Sequence, residues 1–423
     1  MRFANEEVDL GADIDTDVDQ ATKIELSELR PGSEVVVNPD CGKTCEHINL
    51  TDTEFNNIVH VIGTGEKDAL HYVWSSVGAP AVLIAHTEKN VSLKVNWDQL
   101  LSDNSSNALH FTGKVHYSFA AIMTKLYEYN DKHNNAKFVP DNDTITYNLD
   151  ELTWNNINDS IETSSEKVSA IFKTSNESRG MLHDGHILIK MSANGKKDRQ
   201  KDLPHQLWTV NSSLIDFTID GLKASFKKSR IAAEMVFISF DNTNIKTVKH
   251  IDYEMINTID DEYTPSVFET YNLKSAETRI SKTGGYMQWK PISYLTSKHK
   301  YVDSTPIKVG NFNVSRNVDE IPFSVPKAFY GDNISEAEFA NLTITFGVEN
   351  GKDFYTGFNY STWTVAVGYG TPPQNEMSLT VILVLSIGVG LPLVLLFVGG
   401  IYSLIKKFKG DNRRDMLILN VDD

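Results

Sequence analysis

The chain has 423 residues, 40% hydrophobic, 10% aromatic and 23% charged, which is the composition of a globular protein long enough for one large or two ordinary domains and excludes a disordered or fibrous chain. A formal net charge of −16 excludes nucleic acid as a partner, because the phosphate backbone would be repelled. The 12 histidines would shrink that charge in an acid compartment, since exposed imidazoles with a pKa of about 6.5 are protonated near pH 5; this is compatible with a lysosomal lumen.

The chain opens MRFANEEVDLGADIDTDVDQ, without the apolar run of about 7 to 15 residues that a secretory signal needs. We expect residues 1–33 to be an unstructured acidic N-terminus and the native start, with its signal, to lie outside this sequence. Asp13, Asp15, Asp17 and Asp19 alternate as in a calcium loop, but Val18 stands where that loop needs glycine and Ile24 near where it needs glutamate, so a solvated acidic tail is the better reading. The only cysteines are Cys41 and Cys45. Zinc needs four ligands. A local disulfide suits an oxidising lumen, although so close a pair is geometrically demanding.

From about residue 56 the pattern becomes apolar runs of period two, separated by Gly, Pro and Asn: NNIVHVIG, LHYVWSS, PAVLIAH, VSLKVNW, HILIKMS, LIDFTIDGL, IAAEMVFISF, GYMQWKPISYL, NLTITFG and TWTVAVGYG. In HILIKMS, Ile187, Ile189 and Met191 share one face, as a half-buried strand requires. Ten or more such strands describe sandwiches or barrels. FAAIMTKLYEYN, around Phe119 to Asn130, reads equally as helix or strand. The polar loop ANGKKDRQKDLPH, residues 193–205, is the best internal boundary. The expected fold is therefore an all-β ectodomain of two β-sandwich-like domains, residues 34–200 and 206–370, followed by one C-terminal membrane helix.

Signatures of chemistry are sparse. GxSxG, a phosphate-binding glycine loop and HExxH are all absent, and no cofactor is expected. His183, Asp184 and His186 could hold a metal in principle, but a hairpin turn beside Gly185 explains them better. Asp260, Asp261 and Glu262 form an acidic cluster; adjacent carboxylates in a strand face opposite ways, so a catalytic pair would need a third residue from elsewhere. Trp74, Trp97, Trp154 and Trp289 are expected in the core.

Residues 379–405 are free of charge and about 27 residues long, whereas about 20 apolar residues cross a hydrocarbon core of about 30 Å. Gly388, Gly390, Gly399, Gly400 and Pro392 are tolerated in such a helix, and the glycines offer a close-packing surface to another helix. Lys406, Lys407, Lys409, Arg413 and Arg414 follow immediately, which places residues 406–423 in the cytosol and the bulk of the chain in the lumen. The Asn-x-Ser/Thr sequons agree: Asn49, Asn90, Asn104, Asn142, Asn158, Asn176, Asn211, Asn313, Asn333, Asn341 and Asn359 all precede the span.

LHYVWSS, VNWDQLL, TWNNINDSI, IDDEYTPSVF, QWKPISY, KAFYG, NLTITFG and GYGTPP, in this order over residues 56–405, resemble the glycosylated lysosomal membrane protein family. The resemblance implies a single-pass, highly glycosylated lysosomal membrane protein. It further implies a non-enzymatic accessory subunit that binds a lysosomal major-facilitator transporter of dipeptides as a hetero-oligomer and shields it from proteases. The alternative is a lumenal ligand-binding or hydrolytic ectodomain using Asp260, Asp261 and Glu262. The chain departs from the family pattern in lacking lumenal cysteines after Cys45, and, where the family tail is expected to carry a tyrosine-based sorting signal, the only Tyr-x-x-apolar match is Tyr402 to Ile405, at the membrane edge.

Overall fold

The computed structural model describes residues 30–42, 57–241 apart from 142, 156, 158 and 159, then 251–258, 267–275, 284–315, 318, 321–374 and 379–418. Residues 1–373 form one compact unit and residues 374–423 a second.

Alternating apolar residues make the strands of the first unit, and antiparallel pairing assembles them into two large sheets. In spatial order the first sheet runs Arg30–Val37, Ile58–Thr64, Asp68–Ser75, Ala81–Glu88, Val115–Asn130, Ser229–Asp241, Glu338–Phe346 and Ser304–Ser315. Thr144–Asn148 pairs beside the far half of Val115–Asn130. The second sheet runs Ile161–Thr163, Lys167–Lys173, His186–Asn194, Ser212–Asp220, Tyr360–Tyr369, Gly285–Trp289, Glu269–Lys274 and Asp252–Asn257. The short strand Ile292–Tyr294 pairs with one strand of each, giving a continuous network of 18 strands.

The sheets pack as a sandwich over one core. Val59, Val61, Tyr72, Trp74, Ile84 and Phe119 from the first sheet meet Ile187, Ile189, Met191, Phe217, Val365 and Val367 from the second. The outer face of the first sheet is also apolar, with Ile58, Val73, Leu83, Ile122, Val236 and Ile238, because a third layer covers it: Val91, Val95, Trp97, Leu109 and Phe111, then Val325, Ala328 and Ile334. Polar groups stitch the two sheets together. The Trp74 indole donates to Ser213 Oγ at 2.7 Å, Tyr72 OH to the Val210 carbonyl at 2.9 Å, and Tyr117 OH accepts from Gly285 N–H at 2.6 Å. Gly285 makes that approach feasible, since a Cβ there would lie 2.2 Å from the Phe119 ring.

The expected division at residues 193–205 does not occur. Those residues leave strand His186–Asn194, form the small hairpin Asp198–Arg199 with Leu207–Trp208, and return as Ser212–Asp220, the direct neighbour of the strand they left. The segment reads as polar because Lys196, Lys197, Asp198, Lys201 and Asp202 are exposed on the hairpin, and a solvated excursion has the composition of a linker. Strands from both expected halves interleave, with Val115–Asn130 pairing with Ser229–Asp241 and Ser212–Asp220 with Tyr360–Tyr369. The first strand begins at Arg30, inside the segment expected to be unstructured.

In the second unit, the helical stretch Leu379–Phe408 is long and apolar enough to cross a membrane, its most apolar 18 residues having a mean hydropathy of 2.9. Its turn Ser386–Gly390 is a π-helix, ending two residues before Pro392. Proline has no N–H to give the carbonyl of Gly388 and would clash with it in an α-helical turn, so the wider turn relieves the conflict. The helix runs on to Ile418, so the basic residues expected in a cytosolic tail begin as its last turns.

Candidate glycan-bearing surface and membrane anchor

The sequons lie mainly where strands end. Asn90 and Asn359 adopt left-handed backbone, with φ of 69° and 50°, in exposed turns. Asn104 follows the short helix Trp97–Leu100, which Asn96 caps by accepting from Gln99 N–H at 3.2 Å. Asn176 heads the 3-10 turn Glu177–Arg179, and Asn333 lies in Gly331–Glu336. These five and Asn313 are exposed, whereas Asn211 and Asn341 are half-buried. Asn49, Asn142 and Asn158 lie outside the described residues.

Several sequon hydroxyls carry structural work. Ser178 Oγ accepts from Thr153 N–H at 2.8 Å, Ser213 Oγ takes the Trp74 indole, and Ser361 Oγ meets Ser293 Oγ at 2.8 Å. Asn313 and Asn341 are directly opposed on neighbouring strands, which brings their Cβ atoms to about 5 Å.

Asp103 and Ser105, on either side of Asn104, line a cavity of about 590 Å³ with Asp150, Glu151, Trp154 and Lys327. Burial, the largest influence, pushes the Asp150 carboxyl above its usual range. A sugar on Asn104 would therefore stand at the mouth of the cavity in which these acids gather.

Two buried polar sites escaped the sequence. Arg230, 1% exposed, donates to Asp131 Oδ2 at 2.8 Å through Nε and to Asn134 Oδ1 at 2.9 Å through one terminal nitrogen. Its other terminal nitrogen lies 3.2 Å from Asp353 Oδ1, and the guanidinium rests 4.5 Å over Phe354. It thus ties the loops after Asn130 and Phe346 together. The second site is a chain of side chains on three adjacent strands: His60 Nε2 to His71 Nδ1, and His71 Nε2 to Thr87 Oγ1, each 2.9 Å. Thr87 donates its own proton to the Glu88 carbonyl at 2.8 Å, so its oxygen accepts from His71 Nε2–H. His71 Nδ1 must then accept from His60 Nε2–H, which assigns both tautomers as neutral. Burial holds His60 down to about 4; burial first, then the neighbouring His60 and His86, hold His71 down to about 3.

The tryptophans expected in the core are there, Trp74, Trp97, Trp154 and Trp289 each being at most 3% exposed. His183 and Asp184 form a left-handed turn in the connection between two paired strands, with Asp184 bonded to Lys223 at 2.6 Å and His183 Nδ1 3.2 Å from Ser225 Oγ; His186 begins the following strand. Cys41 is buried and disulfide-bonded, and Cys45 lies outside the described residues. Asp13, Asp15, Asp17 and Asp19 and the Asp260, Asp261, Glu262 cluster also lie outside them. At Gly388, Gly390, Gly399 and Gly400 an added Cβ would meet no other atom within 4 Å.

A family model described as Glycosylated lysosomal membrane protein matches residues 57–410. The chain belongs to the glycosylated lysosomal membrane protein family. It is 31% identical over 350 residues to Glycosylated lysosomal membrane protein B of Xenopus laevis, covering 81% of this chain and 84% of that one. Its identity to the Danio rerio relative is 28% over 356 residues, covering 83% and 84%, and to the Homo sapiens relative 25% over 356 residues, covering 82% and 84%. Among solved structures, a galactose mutarotase related enzyme from Lactobacillus acidophilus is 8% identical with a TM-score of 0.28, covering 75% of this chain and 100% of that one, which at that score bears on neither fold nor chemistry. As a family member the protein is a lysosomal membrane glycoprotein, with a β-rich body and one C-terminal apolar helix suited to span the membrane.

Proposed function

We propose that the protein is a non-enzymatic accessory subunit of a lysosomal major-facilitator transporter of dipeptides, which it stabilises and shields from lumenal proteases. The placement of the sequons carries this reading. Asn90, Asn104, Asn176, Asn333 and Asn359 stand on exposed connections of the β unit, so glycans there would guard the segments at which proteases begin. The family resemblance supplies the partner's class. The small residues Gly388, Gly390, Gly399 and Gly400 of the apolar helix would let another membrane helix approach closely.

The test is affinity purification of the tagged protein from mildly solubilised lysosomes, followed by mass spectrometry. One multispan transporter should come down in near-equal amount, and its level should fall when this protein is removed. Recovery of the protein alone, with transporter levels unaffected, would overturn the reading.

A further inference from the structure

Among the described residues, the sandwich is open along one side. Strand Asp252–Asn257 pairs with Glu269–Lys274 and with no other strand among the described residues, so it is an edge of the second sheet. Its register sets Met255 opposite Tyr271 and Tyr253 opposite Leu273, and Leu273 is buried in the core. Tyr253 and Met255 therefore belong to the inner face of the sheet, yet they are 36% and 47% exposed, because the edge overhangs the core. Ile307 and Val309 form the facing wall, Ile292 lies between, and Phe268, 50% exposed, stands at one end. The mouth so formed holds about 760 Å³.

We propose that this mouth receives an extended, alternately apolar segment from a lumenal loop of the membrane partner, added as a strand to the edge Asp252–Asn257. Backbone geometry selects an extended chain over other occupants. Backbone groups on the side away from Glu269–Lys274 lack a described partner strand, and a free edge pairs with another strand. A segment of six residues, matching the length of Asp252–Asn257, spans about 20 Å and turns every second side chain onto the inner face, over the mouth. Its other side chains join the face that carries Asp252 and Glu254, both exposed, and are polar. The lining contains no described sequon asparagine; the sequon nearest it along the facing strand is Asn313, which follows Phe312, whose ring packs on Tyr253.

This inference rests on the subunit reading, and one experiment separates the two. The photoreactive residue p-benzoylphenylalanine replaces Met255 in the full-length protein in lysosomes, with Val139, exposed on a separate loop, as the control position. Position 255 should cross-link to one lumenal peptide of the transporter that the wild type recovers, and position 139 should not. Met255→Asp should lower transporter recovery about tenfold at an unchanged melting temperature. If aspartate lowers the melting temperature, Met255→Ser is scored instead. Wild-type recovery of a transporter with cross-links only within this chain or to lipid, or with recovery unaffected by Met255→Asp, overturns the docking site and leaves the subunit reading standing. Recovery of no transporter by the wild type overturns both.

Discussion

Acid should weaken this fold through two imidazoles. His60 and His71 are 3% and 0% exposed, and each holds its proton on Nε2 in the chain that ends at Thr87. A second proton on His71 would fall on Nδ1, directly against the His60 Nε2–H, so protonation breaks the bond as well as burying a charge. The folded values of about 4 and 3 lie below the 6.5 of the unfolded chain. The unfolded state therefore binds more protons, and stability falls with pH: the contribution is fully present above 6.5 and is lost progressively as pH falls toward the folded values. At a limiting slope of about 1.4 kcal/mol per pH unit and per group, acidification from 6.5 to 4.5 removes about 2.3 kcal/mol for each histidine, or about 5 for the pair, a large part of a typical domain stability. Gln at both positions keeps a donor and an acceptor in each place without titrating. The assay is chemical denaturation of the full chain in detergent at a series of pH values. The wild type should lose stability steadily from pH 6.5 downward, and His60→Gln with His71→Gln should lose about 5 kcal/mol less by pH 4.5. Equal slopes for the two proteins would refute the assignment.

Three other outcomes follow from the packing. Arg230→Met leaves Asp131 and Asp353 without their guanidinium in a site where Arg230 is 1% exposed, and should lower stability by about 3–5 kcal/mol in denaturant titration, whereas Lys196→Met, at an exposed pair, should change it by less than about 1. Gly78→Ala places a Cβ 2.3 Å from the Phe323 carbonyl oxygen at a φ of +65°, and should lower the melting temperature through at least about 1–2 kcal/mol of left-handed strain while loosening the layer that holds Phe323. Glycopeptide mass spectrometry should find Asn313 occupied and Asn341 bare, since Asn341 is half-buried and directly across the ladder from it.

Strand identity was legible in short apolar runs bounded by turn residues, whether one face is buried, as in His186–Asn194, or both, as in Ala81–Glu88. Residues 115–130 are a single 16-residue strand, with Phe119 and Leu126 in the sandwich core and Ala120 and Ile122 under the third layer; an apolar stretch of that length with no strict alternation also has the length of a helix, which left it between helix and strand. The sequons and the apolar helix were legible because each is a local pattern. The Arg230 cluster was not, because its acids lie 99 and 123 residues away along the chain and only the fold joins them. Nor could the sequence reveal that Asp252–Asn257 is an edge, since being central or peripheral is a property of topology.

The interleaving that defeated the two-domain expectation also bears on how such a protein persists among proteases. Cleavage needs a segment that can leave the fold, and the price of releasing a strand rises with the number of distant partners it abandons. Val115–Asn130 is held by Ala81–Glu88 and Thr144–Asn148 on one side and by Ser229–Asp241 on the other, so it cannot open alone. The exposed connections remain as weak points, and there the sequence places Asn90, Asn104, Asn176, Asn333 and Asn359. Pairing guards the strands and glycans at those positions would guard the turns. The open edge at Asp252–Asn257 belongs to neither group, which is the position a partner's strand would protect by binding.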